Sequence, residues 1–307
     1  SMLEGTSRSA DEVITIVPPN LVDLTIEKVA INAVMAGCKP EYLRVVIAAL
    51  EAVCTDEFNM HGLLATTMPV GPIIFVNGPI RNEIGMNSGV NLLGQGNRAN
   101  STIGRALQLT IRNVGGGRPG EVDRATHGSP SKVGLCFAED EEGSPWPSYS
   151  EDAGFSSEQS TVTVFAGEGP RVIVDQLSRS ADELARSLAM GLIGNIHPKL
   201  VLGFDSILVI GPEHASRFRD ESWSKEQVNQ SIIEHTIREA DLILRGVDGI
   251  GEGLPADFAG LQLPKLRPDG GLLIVYGGGG AGLFSASIGG WLSGAKGSQY
   301  VTREIGT

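Results

Sequence analysis

Three short runs of consecutive apolar residues, each followed closely by glycine, place the strongest limit on how this chain can fold. They read IIFVNGP from Ile73, ILVIGPE from Ile207 and LLIVYGG from Leu272. An apolar run without alternation is typical of a strand that is buried on both faces, as in a parallel sheet covered by helices. Because helix-like segments separate the runs, the sequence predicts an α/β fold with a mostly parallel sheet covered by helices.

The first two runs also form a weak internal repeat, because each ends in Gly-Pro. The repeat suggests two similar lobes with the site between them. We place the first lobe at residues 13–155, with the second at residues 156–307. A polar N-terminal tail, residues 1–12, is expected to be disordered.

Composition narrows the class of function. A formal net charge of −12 argues against a nucleic-acid-binding protein, which normally presents a basic face. No apolar run approaches the ~20 residues of a transmembrane helix, and the N-terminus lacks the features of a signal peptide. The three cysteines form neither a disulfide framework nor a CxxC metal pair. We therefore expect a cytoplasmic protein with reduced thiols, no bound metal and no membrane contact.

The richest polar segment follows the first apolar run and extends from Asn77 to Asn100. A polar loop between a buried strand and a helix is a common ligand site in α/β proteins, and arginine and amide groups suit carboxylates. We expect this loop to hold a small polar or anionic molecule. Asparagines that bond only their own backbone would produce the same composition. The candidate substrate-binding residues are Asn77, Arg81, Asn87, Ser88, Asn91, Asn97 and Arg98.

Cys38 has the sequence context of a reactive cysteine. Lys39 follows it, and Pro40 begins a predicted helix. Both the helix dipole and the cation would favour a thiolate, so Cys38 is a candidate nucleophile or redox thiol. The alternative is a small buried residue in a tight turn between helices.

A second group of chemically active residues lies between His127 and Glu142. Cys136 is the alternative nucleophile, and His127 with Glu139 or Glu142 could move protons. The spacing of these residues matches no metal-binding motif. A metal-dependent lyase that uses His127, Cys136 and the acidic residues is nevertheless a second alternative.

The glycine-rich segment after the third apolar run is the last candidate. GGGGAG, from Gly277, could cradle an anion through its backbone amides, so Gly278 and Gly279 join the substrate-binding candidates. The segment is not a clean G-x-G-x-x-G dinucleotide motif, because it lies near the C-terminus and no acidic residue follows about twenty residues on at a second strand end. The chain has neither a P-loop motif nor a G-x-S-x-G elbow. No cofactor is therefore predicted. His214, after the second Gly-Pro, is the lone histidine best placed to line a site.

Four strings carry a resemblance to known proteins: VAINAVMAGCKPEYLRVVIAALEAV, GPIRNEIGMNSGVNLLGQGNRANSTIGRALQLTIRN, CFAEDEEGSPW and GGGGAGLFSASIGGW. On these strings the chain resembles a bacterial family associated with UGSC-motif selenoproteins and their cysteine counterparts. The resemblance implies thiol- or selenol-based chemistry on a small molecule. This chain contains no UGSC or CGSC string, so the motif would lie on a partner subunit or the chemistry would rest on Cys38 or Cys136.

The main expectation is an enzyme, or the substrate-binding subunit of one, that acts on a small polar or anionic molecule. Cysteine-thiolate and acid–base chemistry would make it a lyase, a hydratase or an oxidoreductase that catalyses reductive cleavage. The alternative is a non-catalytic scaffold subunit of a homo- or hetero-oligomer. In that case the reactive thiol or selenol would lie on a second subunit carrying a UGSC or CGSC motif.

Overall fold

A computed structural model describes residues 1–244, 253–294 and 296–306 of the chain. Within these ranges no helix is long and apolar enough to cross a bilayer. The strands are β1 (Val13–Val17), β2 (Val22–Thr25), β3 (Gly71–Asn77), β4 (Cys136–Ala138), β5 (Thr161–Gly167), β6 (Arg171–Val174), β7 (Phe204–Ile210), β8 (Arg238–Glu239), β9 (Gln262–Leu263), β10 (Leu272–Tyr276), β11 (Phe284–Leu292) and β12 (Val301–Glu304).

Helices occupy much of the sequence between these strands. They are α1 (Ile26–Ala36), α2 (Leu43–Val53), α3 (Met60–Ala65), α4 (Ile80–Glu83), α5 (Arg98–Asn113), α6 (Ser131–Gly134), α7 (Tyr149–Asp152), α8 (Ala181–Ile193), α9 (Pro212–Asp220) and α10 (Lys225–His235). Serine begins several of them: Ser148, Ser180 and Ser224 each form a capping box, in which the serine side chain and the residue three positions later satisfy each other's free N–H groups.

The predicted α/β fold is confirmed, and it is built on a mixed sheet. Six strands follow the order β10-β7-β11-β5-β3-β4, while β12 pairs with β5 and β6 pairs with β11. Strands β3 and β4 are parallel, as are β7 and β10. The pairs that join them are antiparallel. The parallel pairing expected from the apolar runs is therefore found at the two ends of the sheet.

The pairing directions read the same from either edge of the sheet: parallel, then three antiparallel pairs, then parallel. This symmetry gives the internal repeat a structural counterpart. β3 and β7, the strands that contain the two repeated runs, each lie between one parallel and one antiparallel neighbour. Strands β5 and β12 both lie after residue 155, where we placed the boundary between the lobes. Nevertheless β5 pairs with β3 of the first lobe, and β12 pairs with β5. Strands from the second part of the chain therefore complete the half of the sheet that β3 and β4 begin.

The two halves meet where glycine faces glycine. Gly290 of β11 pairs with Gly167 of β5. A Cβ atom on Gly290 would lie 2.7 Å from the carbonyl oxygen of Asp205, and one on Gly167 would lie 2.8 Å from Ile73 Cδ1. A backbone oxygen cannot move aside as a side-chain methyl can, so Gly290 in particular needs glycine for the halves to join.

Helices cover one face of each half of the sheet. Helices α1, α2 and α5 pack on the half formed by β3, β4 and β5, and α8, α9 and α10 pack on β7 and β10. The opposite face contributes residues of both halves to a single apolar cluster. The sheet is curved, because its two edges meet: Asp140, after β4, donates its N–H to the carbonyl of Tyr276 in β10 at 2.9 Å. The side chains that form this inner cluster include Ile73, Phe75, Phe137, Phe165, Ile207, Val209, Leu273, Val275 and Ile288.

Residues 1–12, which we expected to be disordered, are packed in the structure. Met2–Gly5 forms a 3-10 turn, and Met2 and Leu3 contact the apolar core. Arg8 donates hydrogen bonds of 2.7 Å to both Glu12 and Glu51. Two apolar side chains and one ion pair with α2 are enough to order a segment whose overall composition is polar.

Candidate functional site

The carboxyl end of β3 is closed by the acidic residues that follow β4. Asn77 Nδ2 donates to Glu139 Oε2 at 2.6 Å and to Glu141 Oε1 at 2.8 Å. Arg81, which is 3% exposed, lies 2.9 Å from Glu141 and 3.1 Å from Glu142. β3 and β4 are parallel neighbours, so their carboxyl ends meet at one edge. The predicted substrate-binding residues Asn77 and Arg81 are thus bonded to the predicted catalytic residues Glu139 and Glu142.

Glu139 links the two edge strands of the curved sheet. Besides the amide of Asn77, its carboxylate accepts hydrogen bonds from the backbone N–H of Tyr149 at 2.9 Å and from that of Tyr276 at 3.3 Å. Burial raises the pKa of the Glu139 carboxyl, and the N–H donors oppose that shift. Because Tyr276 ends β10 and Glu139 follows β4, this carboxylate fastens one edge of the sheet to the other.

The asparagines of the loop after β3 bond the loop's own backbone. Asn87 Nδ2 donates to the carbonyl of Val90 at 2.9 Å. Asn97 caps α5 by accepting from the N–H of Asn100 at 3.1 Å, and its own amide donates to Gly85 at 2.8 Å. These bonds match the alternative to substrate binding, in which the asparagines bond the backbone of their own loop. Asn91 also bonds within the loop, to Gln95, and Arg98 Nε donates to the carbonyl of Gly37 at 2.9 Å.

A cavity of about 580 Å³ lies where this loop meets the glycine-rich segment. We call it the glycine-lined cavity. It opens beside the carboxyl ends of β7 and β10, on the inner face of the curved sheet. The loop, both strand ends, β6 and β11 all contribute to its walls, through Asn91, Leu92, Leu93, Gly94, Val172, Val209, Gly211, Gly277, Gly278, Gly279, Ala281, Gly282, Phe284, Ser285 and Ala286.

The wall after β10 packs closely against the loop, and its Gly278 has a φ of +114°, a backbone conformation that favours glycine. A Cβ atom on Gly277 would lie 2.9 Å from Leu92 Cδ2, and one on Gly279 would lie 3.1 Å from Val90 Cγ2. Gly278 donates its N–H to the carbonyl of Ser88 at 2.9 Å. The structure therefore brings three predicted positions, Asn91, Gly278 and Gly279, into the cavity wall, and Ser88 is bonded to Gly278.

The cavity has an apolar interior and a backbone donor at its glycine end. Leu92, Val209 and Ala286 contribute side chains of the inner apolar cluster. In the part of the chain that the structure describes, the N–H of Gly279 has no acceptor. Such a site combines an apolar surface with a backbone hydrogen-bond donor, as small-molecule pockets commonly do.

His214 and Ser285 form a buried pair behind the cavity. His214 Nε2 lies 3.1 Å from the carbonyl oxygen of Asp175, which can only accept, so Nδ1 accepts the hydroxyl of Ser285 at 2.8 Å. Burial lowers the pKa of His214, which favours this neutral form. Side chains alternate along β11, and Ala286 lines the cavity. The hydroxyl of Ser285 therefore lies on the opposite, helix-covered face.

Both candidate thiols are buried in the helical core. Cys38 Sγ donates to the carbonyl of Thr102 in α5 at 3.4 Å, and Cys136 belongs to the same apolar cluster. Burial raises the pKa of each thiol. Lys39, expected to stabilise a thiolate, instead pairs with Glu41 at 3.6 Å. The helix α2 begins only at Leu43, and the loss of hydration raises the pKa of the Cys38 thiol, so the structure does not favour the thiolate expected there.

His127 lies far from the acidic residues with which it was expected to exchange protons. Its neighbour Thr126 donates to the carbonyl of Thr67, which precedes β3, so exposed His127 is near the amino end of that strand. Glu139 lies at the other end, and β3 alone spans roughly 20 Å. The structure therefore does not form a pair between His127 and Glu139 or Glu142.

The residues expected for a metal-dependent lyase do not gather into a cluster. Across residues 1–244, 253–294 and 296–306, no group of three or more His, Cys, Asp or Glu side chains is arranged to hold a metal ion. Cys136 is in the core, while His127 is at the surface.

No protein-family model matches the chain, and no curated protein matches it.

Proposed function

We propose that this chain binds a small molecule with an apolar body and a polar or anionic head in the glycine-lined cavity, as an enzyme or as the substrate-binding subunit of one. One observation carries the proposal. The loop predicted to hold a substrate and the glycine-rich segment predicted to cradle an anion come together around one cavity.

Size and chemistry of the cavity define the kind of ligand. A volume of about 580 Å³ lies within the range that holds small molecules and cofactors. The apolar body would contact Leu92, Val209 and Phe284, and the polar head would accept the free N–H of Gly279. Ligand affinity would come mainly from apolar burial, and the backbone donor would fix orientation.

Cysteine-dependent chemistry stays a prediction of the sequence, and the reaction types lyase, hydratase and oxidoreductase stay open with it. The burial of Cys38 and Cys136 gives that chemistry no support, and neither residue lines the cavity. Ligand binding as proposed requires neither thiol.

The scaffold alternative is favoured by one separate observation. The rim of the cavity is apolar and exposed: Val90 is 76% exposed, Val172 68% and Phe284 44%. A second subunit that covers this rim would hide apolar surface and could bring a reactive thiol or selenol to the cavity. Sedimentation of the chain alone and of Val172→Asp tests self-association: an oligomer that dissociates in the variant supports a partner at this rim.

Titration with 1-anilinonaphthalene-8-sulfonate tests the main proposal, because this fluorescent probe combines apolar rings with an anionic head. Ala286→Phe should fill the cavity and weaken probe binding at least tenfold. Met190→Phe adds the same side chain at an exposed position of α8 and should leave binding unchanged. Equal affinity in folded Ala286→Phe protein and the unmodified protein would show that the probe binds elsewhere.

A further inference from the structure

A second opening follows the outer edge of β10, the edge that does not pair with β7. This groove has a volume of about 690 Å³ and is lined by α7, α10, β10 and Tyr300. We call it the β10 groove. None of the residues predicted from the sequence to bind substrate lines it.

The hydrogen bonds of β10 to β7 show which backbone groups face the groove. Gly271, just before β10, accepts at its carbonyl from Ser206 N at 2.8 Å, and Gly277, just after it, donates to the carbonyl of Ile210 at 3.2 Å. The two strands are parallel and in continuous register. In such a pair alternate residues bond the neighbouring strand. Residues 271, 273, 275 and 277 therefore face β7, and residues 272, 274 and 276 turn their N–H and C=O groups toward the groove.

Both ends of this edge are already bonded. At one end, the carbonyl of Leu272 accepts from Asn229 Nδ2 at 2.8 Å. At the other, Tyr276 donates to Glu139 at 3.3 Å and accepts from the N–H of Asp140 at 2.9 Å. The protein's own residues thus form hydrogen bonds with the carbonyl of Leu272 and with both the N–H and the carbonyl of Tyr276.

The middle of the edge is not bonded. Three backbone groups here have no hydrogen-bond partner in the described part of the chain: the N–H of Ile274, the C=O of Ile274 and the N–H of Leu272. Ile274 is only 2% exposed and yet lines the groove. Buried backbone groups are nearly always paired, so these three groups are suited to bonding a ligand that enters the groove.

We propose that the β10 groove binds a short peptide, about four residues long, as an added antiparallel strand. One peptide residue would exchange two hydrogen bonds with Ile274, and the carbonyl two residues further on would accept the N–H of Leu272, about 7 Å along the strand. The bonds made by Asn229 and Glu139 end the free edge on both sides, which limits the length of the peptide. This site is separate from the glycine-lined cavity and does not depend on the proposed function.

Charge favours a peptide with a cationic group. Lys225 lines the groove, but it pairs with Asp152 at 2.6 Å and is neutralised there. Glu226 and Glu234 also line the groove, and in the described residues neither has an ion-pair partner. A peptide ammonium or lysine side chain would neutralise one of these glutamates.

Calorimetric titration of the full chain with the tetrapeptide lysyl-alanyl-alanyl-alanine tests the proposal, because its second residue can pair with Ile274 and the carbonyl of its fourth residue can accept the N–H of Leu272. The matched probe is the same molecule with an ester oxygen in place of the N–H of the second residue, which removes the bond to the carbonyl of Ile274. Ala153→Trp should block the groove from the far wall, and Ala153→Ser is its control, because Ala153 is exposed and ends α7. Thermal melting and fluorescent-probe binding at the glycine-lined cavity check that both variants fold.

We expect the tetrapeptide to bind at millimolar concentration or tighter, the ester analogue to bind about five- to tenfold more weakly, and Ala153→Trp to lose binding that Ala153→Ser keeps. An ¹⁵N spectrum should show the amides of Ile274 and Leu272 shifting on addition of peptide. The proposal is overturned by absence of binding at millimolar peptide, by equal affinity for the ester analogue, or by full binding in folded Ala153→Trp protein.

Discussion

The guanidinium of Arg81 lies 2.9 Å from the carboxylate of Glu141, at a position where the arginine is almost fully buried. The same group reaches Glu142 at 3.1 Å, and its Nε donates to the carbonyl of Gly78 at 3.0 Å. These bonds tie the turn after β3 to the segment after β4. A substrate would have to displace them to reach Arg81, so we expect this residue to hold the base of the loop.

Replacing Arg81 with methionine should lower the free energy of unfolding by about 2–4 kcal/mol, because it leaves the half-buried carboxylate of Glu141 and the carbonyl of Glu139 without this donor. Urea unfolding measures the change. Arg44→Met is the matched control: Arg44 pairs with Glu83 at the surface, and such pairs contribute about 0–1 kcal/mol. Equal losses in the two variants would contradict a structural role for Arg81.

Stability should depend on pH through Glu142. The hydrogen bond from Arg81 lowers the pKa of Glu142 to about 2, from an ordinary value of 4.5. A lowered folded-state pKa means that the carboxylate stabilises the fold above pH 4.5, and this contribution is lost as the pH falls toward 2. The side chain is 62% exposed, so solvent limits the effect to about 1 kcal/mol or less.

Urea unfolding of the unmodified protein and of Glu142→Gln, at pH 7, 5 and 3, checks this dependence. The variant should be less stable at pH 7, and the difference should shrink between pH 5 and pH 3. A difference that stays constant down to pH 3 would show that the charge of Glu142 does not contribute.

All three cysteines should react slowly with thiol reagents in the native protein. Burial raises the pKa of Cys38 and Cys136, and it raises that of half-buried Cys54 to about 12. Only the thiolate is nucleophilic, so alkylation by iodoacetamide at pH 7.5 should be slow at each site and rapid in urea. Mass spectrometry of the peptides identifies the site. Fast native alkylation of Cys38 alone would instead favour the cysteine-dependent mechanism.

The sequence predicted the buried strands better than the pairing between them. β3 and β7 have every residue buried, and the apolar runs gave their positions directly. β5 begins with alternating Thr and Val, yet it is buried throughout, so that alternation does not mark a solvent-exposed face and does not identify the partners of the strand. Its direction depends on contacts with β3, β11 and β12, which are distant in sequence.

The candidate site was only partly predictable for a similar reason. Ser88, Asn91, Gly278 and Gly279 were identified because amides and glycine clusters have chemical meaning without a structure. Leu92, Val209 and Ala286 were missed, since apolar residues meet at the cavity only through the curvature of the sheet. Cys38 is buried by residues distant in sequence, so its burial could not be predicted from the neighbouring lysine and helix start.

The most direct test of the account is an ¹⁵N–¹H spectrum of the protein titrated with 1-anilinonaphthalene-8-sulfonate. We predict shifts at the amides of Gly278, Gly279, Leu92 and Ala286, which surround the glycine-lined cavity. Ile274, in the β10 groove, should not shift. Saturable shifts confined to the first group would support a small-molecule site in the cavity, whereas shifts elsewhere with Gly278 and Gly279 unchanged would contradict it.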